Sequence, residues 1–233
     1  MEHNQPEDEK KMDQIIEENK RKPDDVGGVH VQGHIKIHDP ETGEIFIDKR
    51  NAIHYENISE AIAYNLANKG RGFIYRMHFG NGGTTVNETG VITYNPANTN
   101  AQNSSLYNAT YSKVVDDTSV ANPDPLRNKM EVRHTPGTPY TDILVTCLLD
   151  YGEPNDQAAF DSTQDLSGAY VFDELGLVAK SINETDDVDG GLGSAGKLLT
   201  HVVFHPVQKS LNRLIQIDYT IRIQTLTNLS SIG

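Results

Sequence analysis

Nine histidines, a single cysteine and a scatter of Asp and Glu are the side chains of this 233-residue chain with metal-binding, proton-transfer or nucleophilic chemistry. His30, His34 and His38 share one face of a predicted strand. A strand rises about 3.3 Å per residue, so positions four apart stand roughly 13 Å apart and cannot share one ion. His201 and His205 have the same spacing. A metal site would need convergence from other strands, for instance through His54 or His78. Zinc ligands tend to include close pairs or Cys, and the sequence offers neither. The histidines therefore read as solvent-facing or interface residues. At a subunit contact, mild acid would weaken that contact by charging them.

Other constellations are equally short of a mechanism. Asp186-Asp187-Val188-Asp189-Gly190 opens like a calcium loop, but Gly196 stands where the bidentate Glu should be, so a solvated acidic turn is expected. Gly80-Asn81-Gly82-Gly83-Thr84-Thr85 has the glycine content of a phosphate cradle without the Lys and following Ser/Thr of a nucleotide loop. It reads as a turn that needs positive φ after a buried strand. Glu44, Asp48, Asp173 and Glu174 are acids without a constrained separation, and no Gly-x-Ser-x-Gly context marks a serine nucleophile. Cys147, inside Ile143–Leu149, reads as a buried thiol, and one cysteine permits no internal disulfide. No catalytic residue, cofactor or metal ligand is assigned, and the expectation is a non-enzymatic protein.

Bulk composition narrows the partners. With 33 acidic and 20 basic residues the formal net charge is −13. That balance disfavours nucleic acid, whose recognition uses a basic surface to displace counterions, and equally disfavours anionic membranes. No apolar run approaches the roughly 20 residues that span a bilayer. The first 22 residues lack the apolar core of a signal peptide. The hydrophobic fraction of 36% and the absence of Trp suit strands joined by many loops.

The elements that must position these residues are mostly strands. Val29, Val31, Ile35 and Ile37 alternate with polar residues, Asp39–Gly43 is a turn, and Glu44–Asp48 returns as the hairpin partner. Asn57–Lys69 is the one clear helix, with Asn57 as cap, Glu60 three positions on, and Gly70 at its end. Phe73–Phe79, Val91–Tyr94, Asp142–Tyr151 and Ala169–Val178 are further strands. From Ile215 to Ile223 every odd residue is apolar and every even one polar, the mark of a strand with one dry face. Pro96 to about Asn128 reads as a long polar loop, functional or extended over a neighbour. Residues 1–28 form a charged arm with Met12, Ile15 and Ile16 at helical spacing, too thin a stripe to fold alone. Residues 29–233 form the β-rich domain. The expected fold is mainly β, an antiparallel jelly-roll-like sandwich with one short helix and long loops.

Several phrases of the sequence resemble virion proteins of tailed, especially contractile-tailed, bacteriophages. They are His34–Asp39 through Asp48–His54, Phe79–Thr84, Phe172-Asp173-Glu174-Leu175-Gly176-Leu177, and Leu199–Lys209. The resemblance spans most of Val29 to Thr225. It implies a structural protein of the tail, baseplate or neck, located in the virion and assembled in the bacterial cytoplasm. Its partners would be copies of itself in a symmetric oligomer and other virion proteins. His30, His34, His38, Tyr107, Tyr111, Asp218 and Arg222 are the expected subunit contacts. On the closing strand the polar face of Gln216, Asp218, Thr220, Arg222 and Gln224 would meet a neighbour. Alternatives are a capsid decoration protein, a receptor- or carbohydrate-binding module, and a cell-wall glycan hydrolase, which would need two carboxylates at a fixed separation.

Overall fold

The computed structural model describes residues 27–101, 103–154, 170–180 and 196–226. The charged arm up to residue 26, most of the loop after Pro154, and the Asp186–Gly190 turn lie outside the described residues. The strands are β1 (Gly28–His38), β2 (Ile45–Ile53), β3 (Ile74–Gly80), β4 (Thr84–Val86), β5 (Ile92–Tyr94) and β6 (Ala109–Val114). They continue with β7 (Lys129–His134), β8 (Tyr140–Leu149), β9 (Tyr170–Ala179), β10 (Thr200–Lys209) and β11 (Ile215–Leu226). Helix α1 (Tyr55–Leu66) follows β2. Nine strands form one curled sheet in the order β6-β3-β9-β10-β2-β1-β11-β8-β7, and β4 pairs with β5. Every pairing is antiparallel. The mainly β, sandwich-like fold expected from the alternation is what the chain adopts.

Period-two patterning builds the strongest part of this sheet. β1 and β11 pair from Gly28↔Leu226 to His38↔Gln216, with Ile35 opposite Tyr219 and Ile37 opposite Ile217. These four side chains are completely buried, while their even-numbered neighbours form the outer face. Between β2 and β10 the ladder shrinks to Thr200↔Ile53 and His201↔Ala52. The sheet bends at this short seam, which sets β6-β3-β9-β10 over β2-β1-β11-β8-β7. Met77, Phe79, Phe172 and Phe204 from one layer share a core with Ile35, Cys147, Ile217 and Tyr219 from the other. Phe172 anchors this core, with edge-on contacts to Phe79 at 5.4 Å and Phe204 at 5.7 Å, the geometry favoured by ring quadrupoles. On the side away from the seam, Lys113 of β6 reaches across to β8. Its ammonium donates to the Leu148 carbonyl at 2.6 Å and to the Glu153 carboxylate.

The inward pattern changes phase partway along β9 and β10. Tyr170 and Phe172 face the core from even positions of β9, whereas Leu175, Leu177 and Ala179 face it from odd ones. On β10 the ladder is interrupted between Val203 and Val207. Pro206 lies in that interruption, where no N–H is required of it. The irregularity turns Glu174 and His201 to the outside of the sheet, beneath the loop that precedes β6.

Three elements differ from the sequence expectations. The helix starts two residues earlier, because His54 caps it: the His54 Nδ1 accepts the Asn57 N–H at 3.3 Å. Asn57 instead donates its amide to the Leu198 carbonyl at 2.8 Å, and Glu60 pairs with Lys197. The helix closes before Gly70, through Asn68 at φ 50°. The N–H groups of Asn68 and Lys69 bond back to the carbonyls of Asn65 and Tyr64, each at 3.0 Å, a Schellman closure. The Pro96–Asn128 region is not one loop, since it contains β6. Two of its buried residues, Thr110 and Lys113, are polar, so hydrophobic patterning gave no clear signal. β7 also escaped, being an edge strand laced with Lys129, Glu131 and Arg133.

Asn68→Ala should lower the unfolding free energy by about 1 kcal/mol, the usual cost of a side chain without local hydrogen bonding in the left-handed region. Asn68→Gly should leave it nearly unchanged. Urea unfolding followed by circular dichroism measures both.

Candidate functional site

The densest polar chemistry lies on the outer side of β9 and β10. Asp173 and Glu174 sit near the middle of β9, and both are buried. The glycine-rich turn after β3 wraps around them. Asp173 accepts the Gly83 N–H at 2.8 Å, the Thr84 N–H at 2.9 Å and the Thr84 hydroxyl. Glu174 Oε1 accepts the N–H groups of Gly82 at 3.2 Å and Asn108 at 2.8 Å. Its Oε2 accepts the Tyr107 N–H at 3.0 Å and a proton from His201 Nε2 at 2.9 Å.

The turn is thus an anion cradle filled from within. The positive φ expected of its glycines is absent: none of Gly80, Gly82 and Gly83 adopts it. Close approach explains them instead. A Cβ at Gly80 would stand 2.5 Å from the Asn108 carbonyl oxygen, and one at Gly82 would stand 2.7 Å from the Asn108 nitrogen. At Gly83 it would meet Val203 at 2.9 Å. On β9 itself, a Cβ at Gly176 would lie 2.4 Å from the Thr200 carbonyl oxygen.

Two histidines complete the clamp on the 95–108 loop. His201 Nδ1 accepts the Asn98 N–H at 2.7 Å. A nitrogen that accepts carries no proton, so Nε2 carries it and donates to Glu174. His54 Nδ1 accepts at the helix cap, so its Nε2–H donates to the Ala101 carbonyl at 2.7 Å. Beneath the loop, Leu106 packs with Val178 and Leu198 in a small second core.

A buried His–Glu pair is also the orienting half of a catalytic triad, and that role requires the other imidazole nitrogen to face a nucleophile. Here that nitrogen faces a backbone amide, and both side chains have 0% exposure. Burial alone would raise Glu174; the His201 bond and the Asn108 and Tyr107 amides outweigh it and leave its pKa below the ordinary 4.5. Asp173 goes the other way, raised because desolvation exceeds what Thr84 and Gly83 return. The arrangement holds loops; it has no open position for substrate.

Other buried ionisable groups are similarly enclosed. Burial, with Arg76 nearby, pulls His78 down to about 4. Burial likewise pulls Lys209 to about 8 against the opposing charges of Glu153 and Asp150. A readily deprotonated amine is a nucleophile's property, but Lys209 is fully buried and its ammonium donates to the Ser210 carbonyl at 2.8 Å. Cys147 is buried and pushed up to about 12 by desolvation.

The seven expected contact residues divide into two groups. His30, His34, His38, Asp218 and Arg222 share the outer face of β1 and β11, where His30 lies opposite Gln224 and Arg222 opposite Gln32. His34 pairs with Asp48 at 2.7 Å and His38 with Asp218 at 2.9 Å. Arg222 grips both Asp142 oxygens, at 2.7 and 2.8 Å, and covers the Tyr140 ring at 4.0 Å. Tyr107 and Tyr111 lie elsewhere. The Tyr107 hydroxyl bonds the Pro96 carbonyl at 2.7 Å, and Tyr111 leans on Phe79 and Tyr170. The Glu174–His201 anchor escaped sequence reasoning because its parts are 27 residues apart and its partners are backbone amides. The signal available was a Gly-rich turn and a buried acid pair in one chain.

Among the described residues no three His, Cys, Asp or Glu side chains stand together as a metal site, and no helix is long and apolar enough to cross a membrane. No protein-family model matches this chain, and neither a curated protein nor a solved structure is significantly similar to it.

Glu174→Ala strands three backbone donors and His201, so it should cost about 3–5 kcal/mol and speed hydrogen exchange at Tyr107 and Asn108 before global unfolding. Unchanged exchange at those amides would refute the clamp. Acid should destabilise the fold in two stages. His78 stays neutral in the fold, so stability falls as pH drops from 6.5 toward 4, by at most about 3 kcal/mol. Glu174, whose folded value is lowered, adds a further loss below about 4.5. A His78→Phe variant should flatten the first stage in pH-dependent urea titrations.

Proposed function

We propose that this chain is a non-enzymatic structural protein of a tailed-bacteriophage virion, assembling as a symmetric oligomer in the tail, baseplate or neck. The observation that carries the reading is the fate of the Phe172–Leu177 and Leu199–Lys209 phrases, the segments most like such proteins. They form β9 and β10, adjacent strands of the sheet, and their acid and imidazole groups are spent on fixing two loops. Rigid loops on a β scaffold are what a subunit needs to present a constant surface to its neighbours.

The outer face of β1 and β11 supplies one such surface. Its charges are mostly paired within the chain, which leaves a mixed-polarity patch with a shallow hollow of about 290 Å³ between His34, Arg50 and Arg222, suited to a polar interface. The loop between β6 and β7 supplies another, where Val120 and Leu126 are 78% and 83% exposed. Apolar side chains this far out are normal singly and become informative when they cap a loop meant for contact. The β7 edge is a poor route for strand addition, because Glu131 is tied to both Lys129 and Arg133 along it, and charged edges block open-ended pairing.

Light scattering after size exclusion should give a discrete oligomer, and mass spectrometry of purified virions should find the chain at a fixed copy ratio. A strict monomer at high concentration that is also missing from virions would overturn the proposal. Within it, Leu126→Asp paired with Val120→Asp should shift the population toward monomer while leaving the unfolding midpoint within about 0.5 kcal/mol, as expected for exposed sites.

A further inference from the structure

Helix α1 and the inner surface of the β1-β11-β8-β7 layer do not close on each other. An apolar groove of about 380 Å³ lies between them, walled by Val31, Ile223 and Val132 from the sheet and by Ile62, Leu66 and Phe73 opposite. Asn65 is the sole polar residue of its lining. Leu66 and Val132 are 85% and 73% exposed, so apolar side chains of the groove face water.

The place where the arm joins the domain points to the occupant. Val31 and its ladder partner Ile223 lie three residues inside the Gly28↔Leu226 end of the β1–β11 pair. The described chain therefore begins at the rim of this groove, about 10 Å along the strand from Val31. Within residues 1–26 one stretch can complement it: Met12, Ile15 and Ile16 fall on a single stripe at helical spacing, flanked by charge. Alone, a stripe this thin cannot hold a helix. An apolar groove supplies the packing it lacks.

We propose that the groove is the docking site of the chain's own N-terminal arm, with Met12, Ile15 and Ile16 seated against α1 and β7. Length agrees with geometry. Eleven residues separate Ile16 from Gly28, and a chain of that length has a root-mean-square reach of about 18 Å. Val31 stands about 10 Å along the strand from Gly28, and β7 lies three strands, about 14 Å, across the sheet from β1, within that reach. A tether matched to its span gives an effective concentration on the order of millimolar, so the chain's own arm outcompetes a neighbour's at ordinary protein concentrations. The docking is independent of any station in a virion and would hold for the isolated chain.

Disulfide trapping in the full-length chain tests this, since Cys147 is completely buried and silent. Ile16→Cys combined with Val132→Cys should, on mild oxidation, give mainly a fast-migrating intramolecular species on non-reducing gels. Ile16→Cys with Arg133→Cys, on the opposite face of β7, should give several-fold less. Adding Met12→Asp and Ile15→Asp should abolish the difference. A covalent dimer in place of the intramolecular species would assign the groove to a neighbour's arm and overturn the proposal. So would trapping no better than the Arg133 control, or preferential trapping of Leu229→Cys from the C-terminal end. None of these outcomes bears on whether virions contain the protein.

Discussion

Backbone amides at one end of the sheet need acceptors, and the acid pair of β9 supplies them. The turn after β3 and the loop before β6 both cross the outer side of β9, over the buried Asp173 and Glu174. An unpaired buried amide costs about 1–3 kcal/mol, so these loops could not lie there unaided. Glu174 and Asp173 take five N–H donors between them, from Gly82, Gly83, Thr84, Tyr107 and Asn108. Charge-assisted bonds of this kind are worth about twice neutral ones. They offset the cost of burying carboxylates, which is otherwise several kcal/mol per ion. The glycines are the other half of the same device, since at Gly80 and Gly82 a methyl group would collide with Asn108.

The phase change of β9 and β10 makes this device available. Had both strands kept strict alternation, Glu174 would follow Tyr170 and Phe172 into the apolar core. The interruption between Val203 and Val207 rotates the pattern. Leu175 and Leu177 take the inward side, and Glu174 with His201 takes the outer one. Two cores result: the large one between layers, and the small one of Leu106, Val178 and Leu198 under the clamped loop. A strand irregularity, a proline that needs no partner there, and an acid pair are therefore one structural solution.

Legibility in the sequence followed burial chemistry. β1 and β11 were plain because their inward residues are apolar at a period of two, and their register follows from that alternation; β2 was legible only to Asp48, since Lys49 and Asn51 stand opposite Ile35 and Gly33 in its second half. β6 was hidden because two of its buried residues, Thr110 and Lys113, are polar and are satisfied by partners far along the chain, the Tyr170 hydroxyl at 3.0 Å and the Leu148 carbonyl. The Gly80–Thr85 segment has the glycine content of an anion cradle but read as a turn needing positive φ, because no sequence rule reveals that its anions are the Asp173 and Glu174 carboxylates about 90 positions on. His54 and His201, expected at solvent or an interface, are instead buried, and the sequence hid this for the same reason: their partners include main-chain groups of one loop, and main-chain groups have no sequence signature.

Glu174 and two histidines fixing one loop, with Asp173 fixing the turn beside it, also bear on how the proposed contact surface would bind. Association loses free energy when loops and side chains must be ordered at the interface, at about 0.5–1.5 kcal/mol per immobilised side chain. In this chain much of that ordering is completed in folding, since the loop before β6 is held at Asn98, Ala101, Tyr107 and Asn108. The acids do more for such a surface inside the sheet than they would as catalysts at its edge, because a catalyst needs an oxygen left open. Every carboxylate oxygen of Asp173 and Glu174 already has a donor from the protein. The same residues cannot serve both purposes, and the geometry commits them to order.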